Sequence, residues 1–186
     1  MSTFTAIKAV STNRITVFFL GIVLLSISSK IAIPFYPVPM TLQTLVIYLL
    51  AGSMGILGFY STTSYIVIGL LGAPIFAAGG GPAYIASPTF GFLYGMVISS
   101  FFIAFLLNNI LKKDIFGITL SVFIGATIIF VCGVLHLSAF IGLDKAMQAG
   151  LFPFIYSEGL KILIAICAIY FPVSYTHLRA HETVAN

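Results

Sequence analysis

Charge is what this sequence has least of. Only 6% of its 186 residues are Asp, Glu, Lys or Arg, against about 25% in soluble globular domains. So few charges cannot build a soluble surface, and the chain reads as an integral membrane protein. A 60% hydrophobic share and a mean hydropathy of +1.18 agree. Basic residues do not cluster with aromatics, which argues against a nucleic-acid partner. Cysteine is scarce too. Cys132 and Cys167 both fall in apolar runs and read as small buried hydrophobes rather than a redox or metal pair. There is no Cys-x-x-Cys, no His-Glu-x-x-His, no Walker lysine loop and no Gly-x-Ser-x-Gly elbow. The chain therefore has no P-loop route to ATP hydrolysis, a membrane enzyme is disfavoured, and no metal or cofactor is expected.

What is present is organised around residues 77–92, the longest glycine- and proline-punctuated break in an otherwise apolar chain. Gly79, Gly80 and Gly81 permit close backbone approach, while Pro82 and Pro88 remove donors. Irregular backbone between membrane-length segments is tolerated only where it is buried in protein or lines a cavity. The stretch is expected to form the floor or lid of a site.

The pattern predicts an all-α membrane domain of six transmembrane helices with structured outer loops. The spans fall near 15–33, 42–54, 57–76, 91–111, 115–135 and 158–171, most of them near the roughly 20 residues a crossing needs. Three prolines within 34–39 forbid helix after the first span. Residues 136–157 are expected to be a mixed connection. Residues 1–14 read as an interfacial lead-in. The apolar run from Ile15 is too long for a signal-peptide core and lacks a small-x-small exit site. Lys8 and Arg14 place the N-terminus in the cytoplasm, and Lys112 and Lys113 then also fall inside. On this topology the proline-rich loop, the glycine-rich loop and the 136–157 connection share the outer face, which points to a site open to the outside.

The composition changes abruptly after Pro172. Val173–Thr183 reads as the translation of a transposase adapter from sequencing libraries. Residues 1–172 are taken as the single membrane domain and 173–186 as a non-native tail. His177 and His181, although spaced i, i+4, are left without a ligand role.

Charge at membrane depth is costly and defaults to function. Glu158 and Lys161 share a helix face at i, i+3. Two readings stand: a helix-start pair with Ser157 as N-cap and Lys161 snorkelling, or a polar clamp on a ligand. Lys30, near the outer end of the first span, reads as a snorkelling residue. Tyr84, Ser87 and Thr89 are the polar side chains of the glycine-rich stretch. They are either loop residues, with Thr89 capping span four, or ligand contacts. Thr41, Gln43 and Thr44 follow the proline loop, and a buried Gln needs partners in protein or ligand. His136 reads as an interfacial or satisfied histidine. Gly91 and Gly95 form a Gly-x-x-x-Gly that favours close helix packing. Apolar walls with a few convergent polar groups suit a small-molecule binder.

Ser29-Lys30-Ile31-x-Ile33-Pro34-x-x-Pro37-Val38-Pro39-x-Thr41-x-Gln43-Thr44 resembles the first signature of the BioY family, the biotin-binding S components of energy-coupling-factor transporters. Gly69-Leu70-Leu71-Gly72-Ala73-Pro74-x-Phe76, followed by Gly79-Gly80-Gly81-Pro82-x-Tyr84-x-x-x-Pro88-Thr89-Phe90-Gly91-Phe92, resembles the second. Pro153-Phe154-Ile155-Tyr156-Ser157-Glu158-x-x-Lys161 resembles the third, with Glu158 for the usual Asp and Tyr156-Ser157 for Pro-Gly. The resemblance covers roughly residues 15–170. It implies capture of biotin from outside a prokaryotic cell membrane by a chain that does not hydrolyse ATP. A membrane-embedded coupling protein and two cytoplasmic ATPases would drive release inward.

By the same resemblance Glu158, Lys161 and Ser87 hold the ureido ring and polar ends of biotin. Tyr84, Gly80, Thr41 and Gln43 complete the expected site. Some members place an arginine in span four near the biotin carboxylate, whereas this chain has none between Arg14 and Arg179. The carboxylate then pairs with a lysine, Lys161 being the best placed, or stays solvated. An S component for another vitamin, and a membrane protein with no transport role, are the alternatives.

Overall fold

The computed structural model describes residues 14–34 and 36–184, with side chains described as far as residue 171. Lys8, the lead-in, and the side chains of the tail, His177 and His181 included, lie outside the described residues. Helix α1 (Arg14–Lys30) is apolar from Val17 to Leu25 and carries serines toward its end. It stops four residues before Pro34, whose ring disfavours helix in the residue preceding it. The proline loop is a small hairpin rather than unpaired coil. Strands β1 (Ala32–Ile33) and β2 (Met40–Thr41) pair antiparallel, Ala32 opposite Thr41 and Ile33 opposite Met40.

Helices α2 (Gln43–Met54) and α3 (Ile56–Leu70) follow, separated by Gly55. Their 12 and 15 residues give lengths of about 18 and 22 Å at 1.5 Å per residue, short of a bilayer core of about 30 Å. The third predicted span therefore ends near Leu70 and not at Phe76. Beyond it the chain turns irregular through Gly72 and Pro74. A 3₁₀ turn covers Pro82–Ala86.

Helix α4 (Phe90–Phe105) closes in a π turn over Leu106–Ile110. Asp114 starts helix α5 (Ile115–Ile141) by accepting the Gly117 amide at 2.7 Å. No proline interrupts α5, so it runs six residues past the predicted Leu135 and carries His136 inside it. The mixed connection is more ordered than expected. It contains helix α6 (Leu143–Gly150) and a 3₁₀ turn over Phe152–Phe154. Helix α7 (Ile155–Val184) begins three residues earlier than predicted.

Among the described residues, three stretches are long and apolar enough to cross a membrane: Phe90–Ile110, Ile115–Ile141 and Leu143–Phe171. The chain is thus a helical membrane protein whose core lies where α2, α3, α4, α5 and α7 meet. Tyr48, Tyr65, Ile103, Ile118 and Ile129 are fully buried there. Many large apolar side chains, Phe19, Phe116 and Phe123 among them, face outward, as a lipid-facing surface requires. The cysteines depart from expectation: Cys132 is half-buried and Cys167 exposed, both free.

Helices α4 and α5 share the most extensive interface in the fold, and small residues set its closeness. A methyl on Gly91 would collide with the Cβ of His136 and come within 2.8 Å of the Cys132 carbonyl oxygen. A methyl on Gly95 would stand 3.0 Å from the Cys132 Cβ. The backbone carbonyl cannot rotate away, so any side chain at 91 pushes the helices apart. Gly91→Leu is therefore expected to destabilise the fold by about 1–3 kcal/mol, the range for overpacking a core. Gly159→Ala, at a helix position with nothing within 4 Å, should be neutral or slightly stabilising. Thermal unfolding of the two variants in detergent distinguishes them; equal midpoints would refute the packing argument.

Candidate functional site

Pro153 sits within the preceding 3₁₀ turn, and α7 starts at Ile155. That start puts Glu158 and Lys161 on one face in its first two turns, aimed at α2. Ser157 is consequently inside the helix and not its N-cap; its hydroxyl donates to the Phe154 carbonyl at 3.1 Å. On α2, Thr44 and Tyr48 lie one turn apart and meet the pair. Lys161 Nζ donates to Glu158 Oε2 at 3.0 Å and to Thr44 Oγ1 at 3.2 Å. The Thr44 hydroxyl donates in turn to Glu158 Oε2 at 3.1 Å, and Tyr48 Oη donates to Oε1 at 2.7 Å. Glu158 is 4% exposed and Lys161 7%, so Lys161 does not snorkel. The pair is therefore a buried ion pair, hydrogen-bonded to α2, and not an interfacial helix-start pair.

Removing two charges from water costs several kcal/mol per ion, and good geometry only roughly offsets it. An ionised carboxylate has about four acceptor positions and an ammonium three donors. Within the protein Glu158 accepts three bonds and Lys161 donates two. Among the described residues one acceptor position, on Oε1, and one ammonium donor are left without a protein partner.

The pair borders a cavity of about 60 Å³. Val38 and Pro39 of the hairpin, Thr41, Gln43 and Thr44 at the start of α2, and Tyr84 and Thr89 of the glycine-rich segment line its polar and outer sides. Phe92, Leu93, Met96, Ile129, Phe130 and Phe154 form an apolar belt. Gln43 is fixed within the protein. Its Nε2 donates to Tyr65 Oη at 2.9 Å, and its Oε1 accepts from the Thr41 hydroxyl at 3.1 Å.

The glycine-rich segment is anchored from several directions. Tyr65 Oη and the Ser29 hydroxyl both donate to the Ile75 carbonyl, at 3.0 and 2.6 Å. Lys30, exposed at the end of α1 as expected, also donates its Nζ to the Phe76 carbonyl. The Phe76 ring is fully buried between Tyr65 and Tyr84, with centroids 5.5 and 4.8 Å away. Gly80 is required by close approach: any Cβ there would run into the Ala73 carbonyl. Thr89 occupies the N-cap position of α4 without capping it. Its hydroxyl donates to Tyr84 Oη at 3.4 Å and lies 3.2 Å from that of Ser87. His136 is satisfied by the Ser87 carbonyl at 3.1 Å.

Of the residues singled out in the sequence, Thr41, Gln43, Thr44, Tyr84, Thr89, Glu158 and Lys161 line the cavity. Ser87 and Gly80 are not among its lining residues. Sequence reasoning missed Tyr48, which sits in an apolar run and looks like core. Its one signal is the i, i+4 spacing from Thr44, which puts both on the face that meets Glu158. The aromatic belt was missed as well, since single apolar residues in a span carry no signal of what they face.

Glu158→Ala is expected to destabilise the protein by about 3–5 kcal/mol, because it leaves the Lys161 ammonium buried without its counter-charge. Adding Lys161→Met to a neutral Glu158→Gln should restore most of the melting temperature. Detergent melts of the single and double variants check this; a double variant no better than the single one would contradict it.

The BioY family model matches residues 3–175. The chain is 32% identical over 146 residues to the biotin transporter BioY of Thermotoga maritima, covering 76% of this chain and 85% of that protein. It is 30% identical over 174 residues to the biotin transporter BioY2 of Lactococcus lactis, covering 91% and 95%. Among solved structures it is similar to the S-component for biotin from an ECF-type ABC transporter. The TM-score is 0.76 at 23% identity, over 91% of this chain and 93% of that one. At that identity the likeness is one of fold.

Proposed function

The chain belongs to the BioY family, and we propose that it captures biotin and carries it across the cell membrane as the S component of an energy-coupling-factor transporter. The observation that carries this reading is the buried Glu158–Lys161 pair at the cavity, which has one acceptor and one donor to spare. A cyclic urea presents the complement: an N–H for the carboxylate and, next to it, a carbonyl for the ammonium. Charge-assisted bonds of this kind are about twice as strong as neutral ones. The fused thioether ring and aliphatic chain of biotin then suit the belt of Phe92, Met96, Phe130 and Phe154. Thr41, Gln43 and Tyr84 supply the remaining polar wall, and Ser87 and Gly80 hold its shape.

Ligand pockets run to about 300–1,000 Å³, and the cavity of about 60 Å³ is too small for a vitamin. Its walls therefore separate on binding. The glycine-rich side is tied to α1, α3 and α5 through Ile75, Phe76 and Ser87. On the other side Tyr36 is 97% exposed, and Val38 and Pro39 meet the cavity.

In this reading six spans cross the bilayer, α2 and α3 as short or tilted ones. The N-terminus is cytoplasmic and the site opens outward. A membrane coupling protein and two cytoplasmic ATPases supply the energy. Residues 1–172 make the transport domain, supported by the family match over 3–175, and 173–186 derive from an adapter.

Biotin titrated calorimetrically into the detergent-purified chain, and into a form ending at Pro172, should bind one to one in both. Loss of two charge-assisted bonds, each about 1.5–3 kcal/mol, predicts at least about 100-fold weaker binding by Glu158→Gln/Lys161→Met. Folded protein that gives no heat with biotin would refute the reading; a double variant that binds normally would remove the pair from the site.

A further inference from the structure

We propose that the site recognises the ring system of biotin and ignores its carboxylate, so that neutral amides and esters of biotin are ligands as well as the free acid. The inference rests on the biotin reading above and extends it to a wider substrate class.

The argument starts from charge. Among the described residues that line the cavity, Lys161 is the one cation and Glu158 the one anion. They neutralise each other at 3.0 Å. Lys161 also bonds Thr44, so a single donor remains on it. Engaging a second carboxylate would set two anions against one ammonium in a water-poor site. That geometry is strongly unfavourable unless one of the acids is protonated.

Away from the pair, the polar groups at the cavity are neutral: the hydroxyls of Tyr84, Thr89 and Thr41 and the amide of Gln43. The Tyr84 and Thr89 hydroxyls bond each other, and Gln43 is held by Tyr65 and Thr41. None of them offsets the desolvation of an ionised carboxylate.

Other lysines do not change this. Lys30 donates to the Phe76 carbonyl. Lys145 lines a separate outer cleft with Tyr36, Pro37, Pro88 and Gln148, and an ion pair in such an exposed place contributes little. With the ring seated on Glu158 and Lys161, the valerate end points toward the mouth and keeps its charge in water. Converting that end to an amide or an ester removes a charge the protein never engages.

The test is displacement of radiolabelled biotin from the detergent-purified full chain by biotin, by biotinamide, by a biotin–lysine amide and by 2-iminobiotin. The two amides are expected within tenfold of biotin. The imino analogue, whose ring carbonyl is replaced, should be at least 100-fold weaker. Amides tenfold or more weaker than biotin would overturn carboxylate-blind recognition while leaving biotin capture intact. If labelled biotin itself fails to bind folded protein, both the inference and the reading beneath it fall.

Discussion

A carboxylate and an ammonium, withdrawn together from water at the head of α7, set the terms for the rest of this fold. Neither is tolerable alone in an apolar interior. Each must be reached by donors and acceptors from another helix, and α2 supplies them through Thr44 and Tyr48. That demand fixes the rotation of α2 and its register against α7. It also accounts for a short α2 that begins immediately after the hairpin, since Thr44 must fall in its first turn. The apolar belt around the pair keeps water out and so keeps the two charges strongly coupled.

The second constraint is backbone. Between α3 and α4 the chain follows no regular ladder apart from the 3₁₀ turn, and in a membrane protein its amides and carbonyls need partners inside the molecule. Ser29, Lys30 and Tyr65 take two of the carbonyls, and the Gly81 amide reaches the Gly69 carbonyl at 2.7 Å. His136 reaches a third carbonyl, that of Ser87, from the far side. Polar side chains that look unremarkable in a span thus hold an irregular wall rigid beside the cavity.

Much of this was legible in the sequence because the rare residues are the informative ones. In a chain with 6% charge, an intramembrane Glu and Lys three apart stand out, as do three glycines in a row or three prolines in six positions. The helical class followed from hydropathy alone. What stayed hidden depends on tertiary geometry. Tyr48 reads as one more apolar-run aromatic until α7 is docked against it. Lys30 gives no hint of its tie to the cavity wall because its acceptor, the Phe76 carbonyl, lies 46 positions away. Helix α6 was submerged in a polar-looking connection, since Asp144 and Lys145 mask the buried face marked by Ala146. The early start of α7 reflects Pro153, which suits a helix-preceding turn as well as it suits a loop.

The ties from α1 to the cavity wall have a further consequence. Ser29 and Lys30 end a helix whose other side chains face outward along most of its length, and they hold the carbonyls of residues 75 and 76. A tilt or axial shift of α1 therefore cannot occur without displacing the wall that carries Phe76 and Tyr84. Lateral pressure on the outside of the molecule and occupancy of its interior are two handles on one lever. By thermodynamic reciprocity, whatever free energy a ligand gains or loses when α1 is shifted, an agent gripping α1 gains or loses equally when the ligand arrives.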